Sequence, residues 1–444
     1  MYVADPISPL GGTPLLFLLL QIGVLLLAAA LLGKLAARLS FPAIVGELLA
    51  GVLLGPSLLG GVAPAAFRWL FPPTAEQFHL LDAVGQVGLV LLVAFTGASL
   101  DLRMIRRRHQ TALRVSLPGL LIPLALGVTV GVLLPRSLLS EHGQRPAFAL
   151  FLGIAMAVSA IPVIAKTLMD LRMIHRNVGQ LILMAGTVDD LLGWLGLSVV
   201  TAVATTGLRA GDLVLPIAYL AAVVLVAVFV GRPLVGRVMR VASRSEGQGP
   251  VLVSATILIV LCATATQALH LEAIFGALIG GMLIGSAGPE VVRRLAPLRL
   301  LVTAVLAPLF FATAGLRMDL TLLAKPLVLG IATLLLVIAI VGKFSGAFLG
   351  AWLSGLNRWE AVALGAGMNA RGVMEVVIAM VGVQLGVLTT TMYTTIVLIA
   401  IVTSLMSPPL LRFGMSRLQI TADEEMRLRA YDEPAAAPPA ATRP

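Results

Sequence analysis

Two adjacent carboxylates, Asp189 and Asp190, stand in an otherwise apolar run from Val178 to Val203, within the segment TVDDLLG at 187–193. A charge at the centre of a membrane span costs on the order of 2.5–3.5 kcal/mol, so ionisable residues at such positions mark functional sites. Neighbouring helix positions point about 100° apart, so the two carboxylates do not share one partner equally. The pair therefore predicts that one carboxylate faces a cation site and that the other pairs with a basic side chain.

The candidate base is Lys343, the one basic residue in the apolar stretch LLLVIAIVGKFSGAFLGAW. The alternative is a lysine that extends its ammonium to the membrane surface, but its depth within the span favours pairing. Dehydration favours the protonated form of a carboxylate, whereas a bound Na⁺ or K⁺ favours the ionised form. Proton and cation then exclude each other at whichever carboxylate faces the cation site, and a second titratable group at Lys343 predicts electrogenic exchange.

The composition places these residues in a polytopic membrane protein. Of the 444 residues, 59% are hydrophobic and 12% are charged, with a mean hydropathy of +1.02, whereas soluble domains carry about 25% charged residues. Apolar runs separated by turn residues and charges predict an all-α fold of thirteen transmembrane spans. The predicted spans begin near residues 14, 42, 80, 112, 146, 178, 213, 250, 272, 297, 326, 360 and 391.

The basic residues predict the topology. With the N-terminus outside, 23 of the 31 Lys and Arg residues fall on the cytoplasmic side and 6 on the other, as the positive-inside rule requires. The net charge of +10 then reflects topology and attraction to anionic lipid rather than nucleic-acid binding. The single cysteine, Cys262, excludes an intramolecular disulfide. An excess of Arg over Lys is typical of a G+C-rich bacterial genome, and the predicted location is the bacterial inner (plasma) membrane. The chain from Thr421 to 444 is predicted to be a short disordered cytoplasmic tail.

Two pairs of segments repeat within residues 1–420, the predicted transporter domain. GELLAGVLLG at 46–55 aligns with GALIGGMLIG at 276–285, and GASLDL at 97–102 aligns with GLRMDL at 315–320. Seven spans separate the partners, and an odd displacement gives two halves that run in opposite directions, as in secondary transporters. The repeats cover about 14–206 and 250–412, linked by a span at about 213–239. The alternative is that glycine-rich spans simply look alike.

The repeat pairs span five with span twelve, and both contain helix-breaking residues. Irregular backbone at membrane depth is tolerated only where it is buried or lines a cavity, so two discontinuous helices are predicted to cross near the midplane. Pro162 by itself is also compatible with a simple kink, and Arg371 and Glu375 are spaced as a helical i,i+4 ion pair with a structural role. The predicted interruptions comprise Ser159, Ala160, Ile161 and Pro162 in span five and Asn369, Ala370, Arg371 and Gly372 in span twelve.

These motifs resemble the monovalent cation:proton antiporter superfamily, in its second branch of bacterial Na⁺ or K⁺ exchangers and plant cation/proton exchangers. The resemblance covers nearly all of the chain up to the tail. It rests on VGELLAGVLLGPSLLG, SAIPVIAKTLMDL, VDDLLG, PLFFATAGLRMDL, GKFSG and MNARGVMEV.

The resemblance implies an elevator-type transporter, usually a homodimer, whose core domain moves against a dimerisation domain. It implies that Asp190 binds Na⁺ or K⁺ transiently and that Asp189 pairs with Lys343. Thr187, beside the aspartate pair, and Glu47, in the first motif, are supporting candidates.

The chain departs from the family in two places. Many relatives carry Thr at the break before the aspartate pair, where Ser159 is here the hydroxyl residue, so the choice between Na⁺ and K⁺ stays open. The chain ends before the nucleotide-sensing domain of the potassium-efflux members, so neither that domain nor a cofactor is expected. A transporter rather than an enzyme is predicted. A cation channel is disfavoured by the repeat, while a proton-driven exporter of an ionophore complex or organic ion remains the alternative.

Overall fold

The computed structural model describes residues 11–39, 41–99, 109–140, 144–173, 175–206, 210–245, 247–269 and 271–425. Regular structure in these ranges is helical, apart from an isolated bridge between Leu139 and Leu388. The arginine-rich loop at 103–108, the last three residues of GASLDL and the chain from 426 onward lie outside the described residues.

The helices of the first half run from α1 to α10. Their bounds are α1 Gly12–Arg38, α2 Ala43–Leu54, α3 Leu59–Val62, α4 Pro64–Leu70, α5 Ala75–Ser99, α6 His109–Leu133, α7 Arg145–Ala157, α8 Ile161–Asp170, α9 Asn177–Thr206 and α10 Ala210–Val226.

The helices of the second half run from α11 to α20, and a π-helical segment at Ala227–Gly231 joins α10 to α11. Their bounds are α11 Arg232–Ala242, α12 Gly249–Ala268, α13 Ala273–Ser286, α14 Pro289–Arg294, α15 Ala296–Leu301, α16 Ala307–Leu316, α17 Pro326–Leu353, α18 Arg358–Met368, α19 Val373–Gln384 and α20 Thr390–Met415.

Ten helical segments of the described chain are long and apolar enough to cross a membrane, and the pair α18 and α19 makes an eleventh candidate. Two other predicted spans correspond to the shorter apolar helices α7 and α13. The all-α polytopic fold class is therefore confirmed, while the count of thirteen spans stays a prediction.

Both predicted interruptions are present. Helix α7 ends at Ala157 and α8 begins at Ile161, while α18 and α19 are separated by residues 369–372 and bent by 42°. The two breaks touch, because the backbone N–H of Ala160 donates to the carbonyl oxygen of Ala370 at 3.0 Å. Non-helical backbone thus replaces helix where the two interrupted segments cross.

Local sequence explains why helices restart after these breaks. Pro162 occupies the first turn of α8, where a helix does not use the backbone N–H that proline lacks. At the other break, the N–H of Gly372 donates to Glu375 Oε2 at 2.7 Å. This contact satisfies a donor that the first turn of α19 otherwise leaves open.

Contacts between helices divide most of them into two groups. Helices α6, α7, α9, α17, α18, α19 and α20 pack against one another, and their buried side chains include Phe151, Trp194 and Val377. Helices α1, α2, α5, α11, α12, α13 and α16 form the second group and carry most of the two smaller buried clusters. Contacts of α9 with α13 and of α2 with α20 join the two groups.

Glycines at the contacts between repeats show reciprocal packing. A Cβ added at Gly51 would lie 1.9 Å from the carbonyl oxygen of Ala312, and a Cβ at Gly281 would lie 1.8 Å from that of Ala94. Gly51 aligns with Gly281 in the first segment pair, and the offset of 218 residues that aligns GASLDL with GLRMDL also pairs Ala94 with Ala312, three residues before each segment. Replacing each residue of the Gly51–Ala312 contact by its partner in the other repeat therefore gives the Gly281–Ala94 contact, which supports the repeat assignment.

The start of the C-terminal tail is ordered. Glu424 is buried, its Oε2 lies 3.2 Å from Arg176 Nε, and its Oε1 accepts the backbone N–H of Asn177 at 2.6 Å. Asn177 opens α9, so the carboxylate occupies the positive end of the helix dipole. The prediction of disorder from Thr421 is therefore wrong for residues 421–425, because one acidic side chain anchors them.

Candidate cation and proton site

Helix α9 places Asp189 and Asp190 deep inside the protein, with exposed fractions of 0% and 4%. Asp189 forms an ion pair with Lys343, which α17 supplies and which is itself fully buried. The predicted partnership between the first aspartate and the lysine is therefore present in the structure.

Two serines complete the surroundings of Asp189. Ser116 Oγ donates to Asp189 Oδ1 at 3.1 Å. Ser159 Oγ lies 2.9 Å from Asp189 Oδ2 and 2.6 Å from the carbonyl oxygen of Met368, and its single proton serves one of them at a time. With the lysine on Oδ2 as well, both carboxylate oxygens of Asp189 are engaged.

Asp190 has different surroundings. Among the described residues, no hydrogen bond or ion pair engages its carboxylate, although Asp189, Glu375 and Lys343 are near enough to act on it electrostatically. Its side chain leaves α9 about 100° from that of Asp189. The structure thus separates one carboxylate that is bound within the protein from one that is available to a ligand.

Positive side chains cover the broken end of α7. Arg371 donates to the carbonyl oxygens of Ala155 at 2.7 Å and Met156 at 2.5 Å, and Lys343 donates to that of Ala157 at 2.5 Å. The last carbonyls of a helix lack helical partners and carry partial negative charge. The two cations satisfy three such carbonyls in succession and hold the break beside the aspartates.

The predicted pair of Arg371 and Glu375 is present as a buried ion pair, with Arg371 Nη1 3.6 Å from Glu375 Oε1. It is not a pair within one helix, because Arg371 precedes α19. The guanidinium also donates to backbone carbonyls, including that of Ala339 at 3.2 Å. Sequence spacing predicted the carboxylate partner, whereas the carbonyl acceptors on α7 and α17 arise from tertiary packing.

The other residues of the second break are also buried. Asn369 Nδ2 donates to the carbonyl oxygen of Ile340 at 3.1 Å, while Asn369 Oδ1 has no partner in the described chain. Ser404 of α20 donates to the carbonyl oxygen of Arg371. Hydrogen bonds from two neighbouring helices thus fix the non-helical segment.

Two supporting candidates lie away from this cluster. The Thr187 hydroxyl donates to the carbonyl oxygen of Leu183 in its own helix at 2.7 Å. Glu47 lies on α2, and the hydrogen bonds and ion pairs of the described residues do not connect its side chain to the aspartates. Its Cγ would lie 3.5 Å from a Cβ added at Gly33, which places it against α1.

Charge counting shows what the cluster can do. Asp189, Asp190 and Glu375 oppose Lys343 and Arg371, so with all five ionised the net charge of the cluster is −1. A buried uncompensated charge is costly. One proton or one monovalent cation at Asp190 neutralises the cluster, so the two ligands are equivalent in charge and compete for the same carboxylate.

Comparison with known proteins places the chain in a family. The family described as sodium/hydrogen exchanger, transmembrane, matches residues 24–413. The chain belongs to this exchanger family. Membership identifies it as a membrane transporter rather than an enzyme, and it confirms the resemblance inferred from the sequence motifs.

Individual relatives agree with this membership. The exchanger chain is 32% identical to the Na(+)/H(+) antiporter NhaS4 of Synechocystis, over 89% of its own length and 96% of that protein. It is 28% identical to the Na(+)/H(+)-K(+) antiporter GerN of Bacillus cereus, over 88% and 95%. The sodium proton antiporter MjNhaP1 from Methanocaldococcus jannaschii matches with a TM-score of 0.68 at 17% identity, covering 95% of this chain and 100% of that one. The last likeness establishes the antiporter fold.

Proposed function

We propose that this chain is a secondary antiporter that exchanges Na⁺ or K⁺ for protons by alternating access, with Asp190 as the shared site. The observation that carries the proposal is the division of labour between the aspartates. Lys343 and two serines hold Asp189, whereas no described residue engages Asp190. The names of the relatives, which include Na⁺/H⁺ and Na⁺/H⁺-K⁺ antiporters, support the same exchange.

Competition at Asp190 couples the two ions. Dehydration favours the protonated carboxyl group, and a cation replaces that proton by stabilising the ionised form. In the empty, unprotonated state the Asp190 carboxylate has neither a proton nor a cation, and a buried uncompensated carboxylate is costly, so passage of this state through the membrane is disfavoured. Only the proton-loaded and cation-loaded states then switch the binding site from one side of the membrane to the other, and each turnover exchanges protons for a cation.

We further propose electrogenic exchange of two protons for one cation. In the proton-loaded state Asp190 is neutral and Lys343 is charged by its pairing with Asp189. A cation at Asp190 draws Asp189 toward itself, and the lysine loses the partner that stabilises its charge in a buried position. Release of the lysine proton leaves the cation-loaded cluster with a charge of −1, so an inside-negative potential drives the cation outward.

The proposal extends to assembly and placement. We propose a homodimer in a bacterial cell membrane, with the N-terminus outside and the C-terminus in the cytoplasm. The two helix groups support an elevator in which the group that contains α6, α7, α9 and α17–α20 moves against the other. Named relatives give no support to an ionophore or organic-ion cargo.

Purified protein in proteoliposomes tests the exchange directly. Internal pH is followed with a fluorescent dye while Na⁺, K⁺, Li⁺ or Rb⁺ is added in turn. We expect cation-dependent proton movement by the wild type and none by Asp190→Asn. Glu76→Gln, which removes an exposed carboxylate, is the control and retains exchange. Near wild-type exchange by Asp190→Asn, in protein that elutes as a folded species, overturns the site assignment.

A further inference from the structure

A second acidic residue approaches α9 from the other helix group. Glu272 immediately precedes α13, and its partly exposed side chain lies close enough to Thr201 of α9 to interact with it. The Thr201 side chain is 3% exposed, and its Oγ1 has no hydrogen bond of good geometry in the described chain. A carboxylate and an unsatisfied hydroxyl thus face each other near the end of α9.

Thr201 lies on the same face of α9 as Asp190. Positions four and eleven residues apart fall within about 40° around a helix, so Asp190, Trp194 and Thr201 form one line. Trp194 is buried, and its Nε1 has no partner among the described residues. Buried polar atoms of proteins are satisfied by protein or by water, so water is the partner left to the Trp194 N–H, whereas the Thr201 hydroxyl oxygen can also coordinate a cation.

The face of α9 that carries Asp189 is packed against protein, in contrast to the face that carries Asp190. A Cβ added at Gly193 would lie 2.9 Å from the side chains of Met374 and Val158, and one at Gly196 would lie 2.5 Å from Ile154. That face is therefore packed tightly against α7, the break and α19. Helix α13, which Glu272 precedes, is a helix of the other group that contacts α9.

We propose that Glu272 and Thr201 form an entry site for the monovalent cation, at the contact between the two helix groups and on the route to Asp190. Carboxylate and hydroxyl oxygens replace water around a hard cation, so the ion loses its hydration in steps. The inference rests on the proposed exchange function, to which it adds a second binding position. In the predicted topology this position opens to the outside.

The electrostatics of Glu272 agree with a cation ligand. Burial raises the pKa of Glu272, and the neighbouring Thr201 hydroxyl acts in the opposite direction. Partial dehydration makes a bare carboxylate less favourable, and a bound cation relieves that cost. The backbone role of Glu272 is separate, since its carbonyl oxygen accepts Thr266 Oγ1 at 3.1 Å. A side-chain substitution that keeps the backbone therefore leaves this cap in place.

Cation-dependent proton movement in right-side-out and everted vesicles tests the entry site, with Na⁺ and K⁺ as the probes. We expect Glu272→Gln to raise the apparent KM about two- to fivefold when the cation is supplied at the outer face, as for a partly exposed ionic contact. The KM at the cytoplasmic face and the maximal rate stay unchanged. Glu272→Asp, which keeps the charge, restores most of the wild-type KM, and Thr201→Val gives a smaller increase on the same face.

Glu76→Gln is the matched control, because it removes an exposed carboxylate on the same predicted side. Equal KM values for Glu272→Gln and Glu76→Gln overturn the entry site. The proposed antiport function still stands in that case if the wild-type protein exchanges cations for protons. A fall in maximal rate with an unchanged KM indicates a packing role and also overturns the entry site. A wild type that moves no protons with any cation contradicts the proposed function itself.

Discussion

Lys343 and Asp189 form an ion pair in which both side chains are fully buried. A buried pair is stable only when its remaining donors and acceptors are satisfied, and here Ala157 and Ser116 meet that need. The pair thereby connects α17 and α9 to the broken end of α7. Any movement of Asp189 toward a cation consequently changes the environment of the lysine.

Lys343→Gln is expected to retain some exchange and to lose its dependence on voltage. The amide fills similar space but carries no proton that cation binding can release, so the second proton of each cycle is lost. Exchange rates in proteoliposomes, with the potential clamped by an added ionophore, measure this dependence.

The control for this experiment is Lys325→Gln, which removes an exposed lysine at the start of α17. It should keep the voltage response of the wild type. Wild-type transport that ignores the imposed potential would instead mean that Lys343 is a structural partner and that exchange is one for one.

Arg371→Gln is expected to destabilise the fold by about 3–5 kcal/mol, the cost of removing one partner from a buried ionic network. The substitution leaves carbonyl oxygens of Ala155, Met156 and Ala339 without their donor and leaves Glu375 unpaired. Thermal unfolding in detergent measures the loss.

Arg371→Lys should fall between the wild type and Arg371→Gln, because an ammonium keeps the charge but lacks the planar fork of donors. Arg68→Gln is the control, since the Arg68 side chain is exposed and donates to Pro64 within its own helix. Equal melting temperatures for Arg371→Gln and Arg68→Gln would exclude a structural role for the guanidinium.

Acidification is expected to release the start of the tail from α9. Burial alone would raise the pKa of Glu424, but N–H donors from Thr421 and Asn177 and the Arg176 guanidinium outweigh it and hold the pKa below its ordinary value of 4.5. Docking is therefore fully stabilised above pH 4.5 and is lost as the pH falls through the docked pKa. Hydrogen exchange at the two amides measures the release.

Glu424→Gln should show fast exchange of these amides already at neutral pH, because it removes the charge that Arg176 and the α9 N-terminus bind. The exposed neighbour Glu425 supplies the control, and Glu425→Gln should exchange as slowly as the wild type. Slow exchange in Glu424→Gln would show that packing, and not the carboxylate, holds the tail.

The sequence predicted the residues whose chemistry is unusual for a membrane span. Asp189, Lys343 and the two breaks stood out because a buried charge or a missing helical hydrogen bond is costly in lipid. Ser116 carried no such signal, since a serine is common in spans, and its role depends on a contact with a helix 73 positions away. Sequence patterns report local costs, whereas this contact arises only from tertiary packing.

The same limit explains what the sequence left out at Arg371 and the error at the tail. Spacing predicted the pairing of Arg371 with Glu375, which is present. It gave no sign that the guanidinium also donates to carbonyls of Ala155 and Met156 on a different helix. The composition after Thr421 is polar and indicates disorder, yet one buried carboxylate orders five residues. A backbone acceptor or a single anchoring side chain leaves almost no trace in composition.

Gly51→Ala and Gly281→Ala are expected to destabilise the fold by similar amounts, because the repeat places them in equivalent contacts. Each new methyl group would meet a helix backbone oxygen within 2 Å, and overpacking of this kind costs about 1–3 kcal/mol or more. Gly236→Ala, where a Cβ meets nothing within 4 Å, is the control for thermal unfolding in detergent. A large loss for one of the pair and none for the other would contradict the reciprocal packing of the two halves.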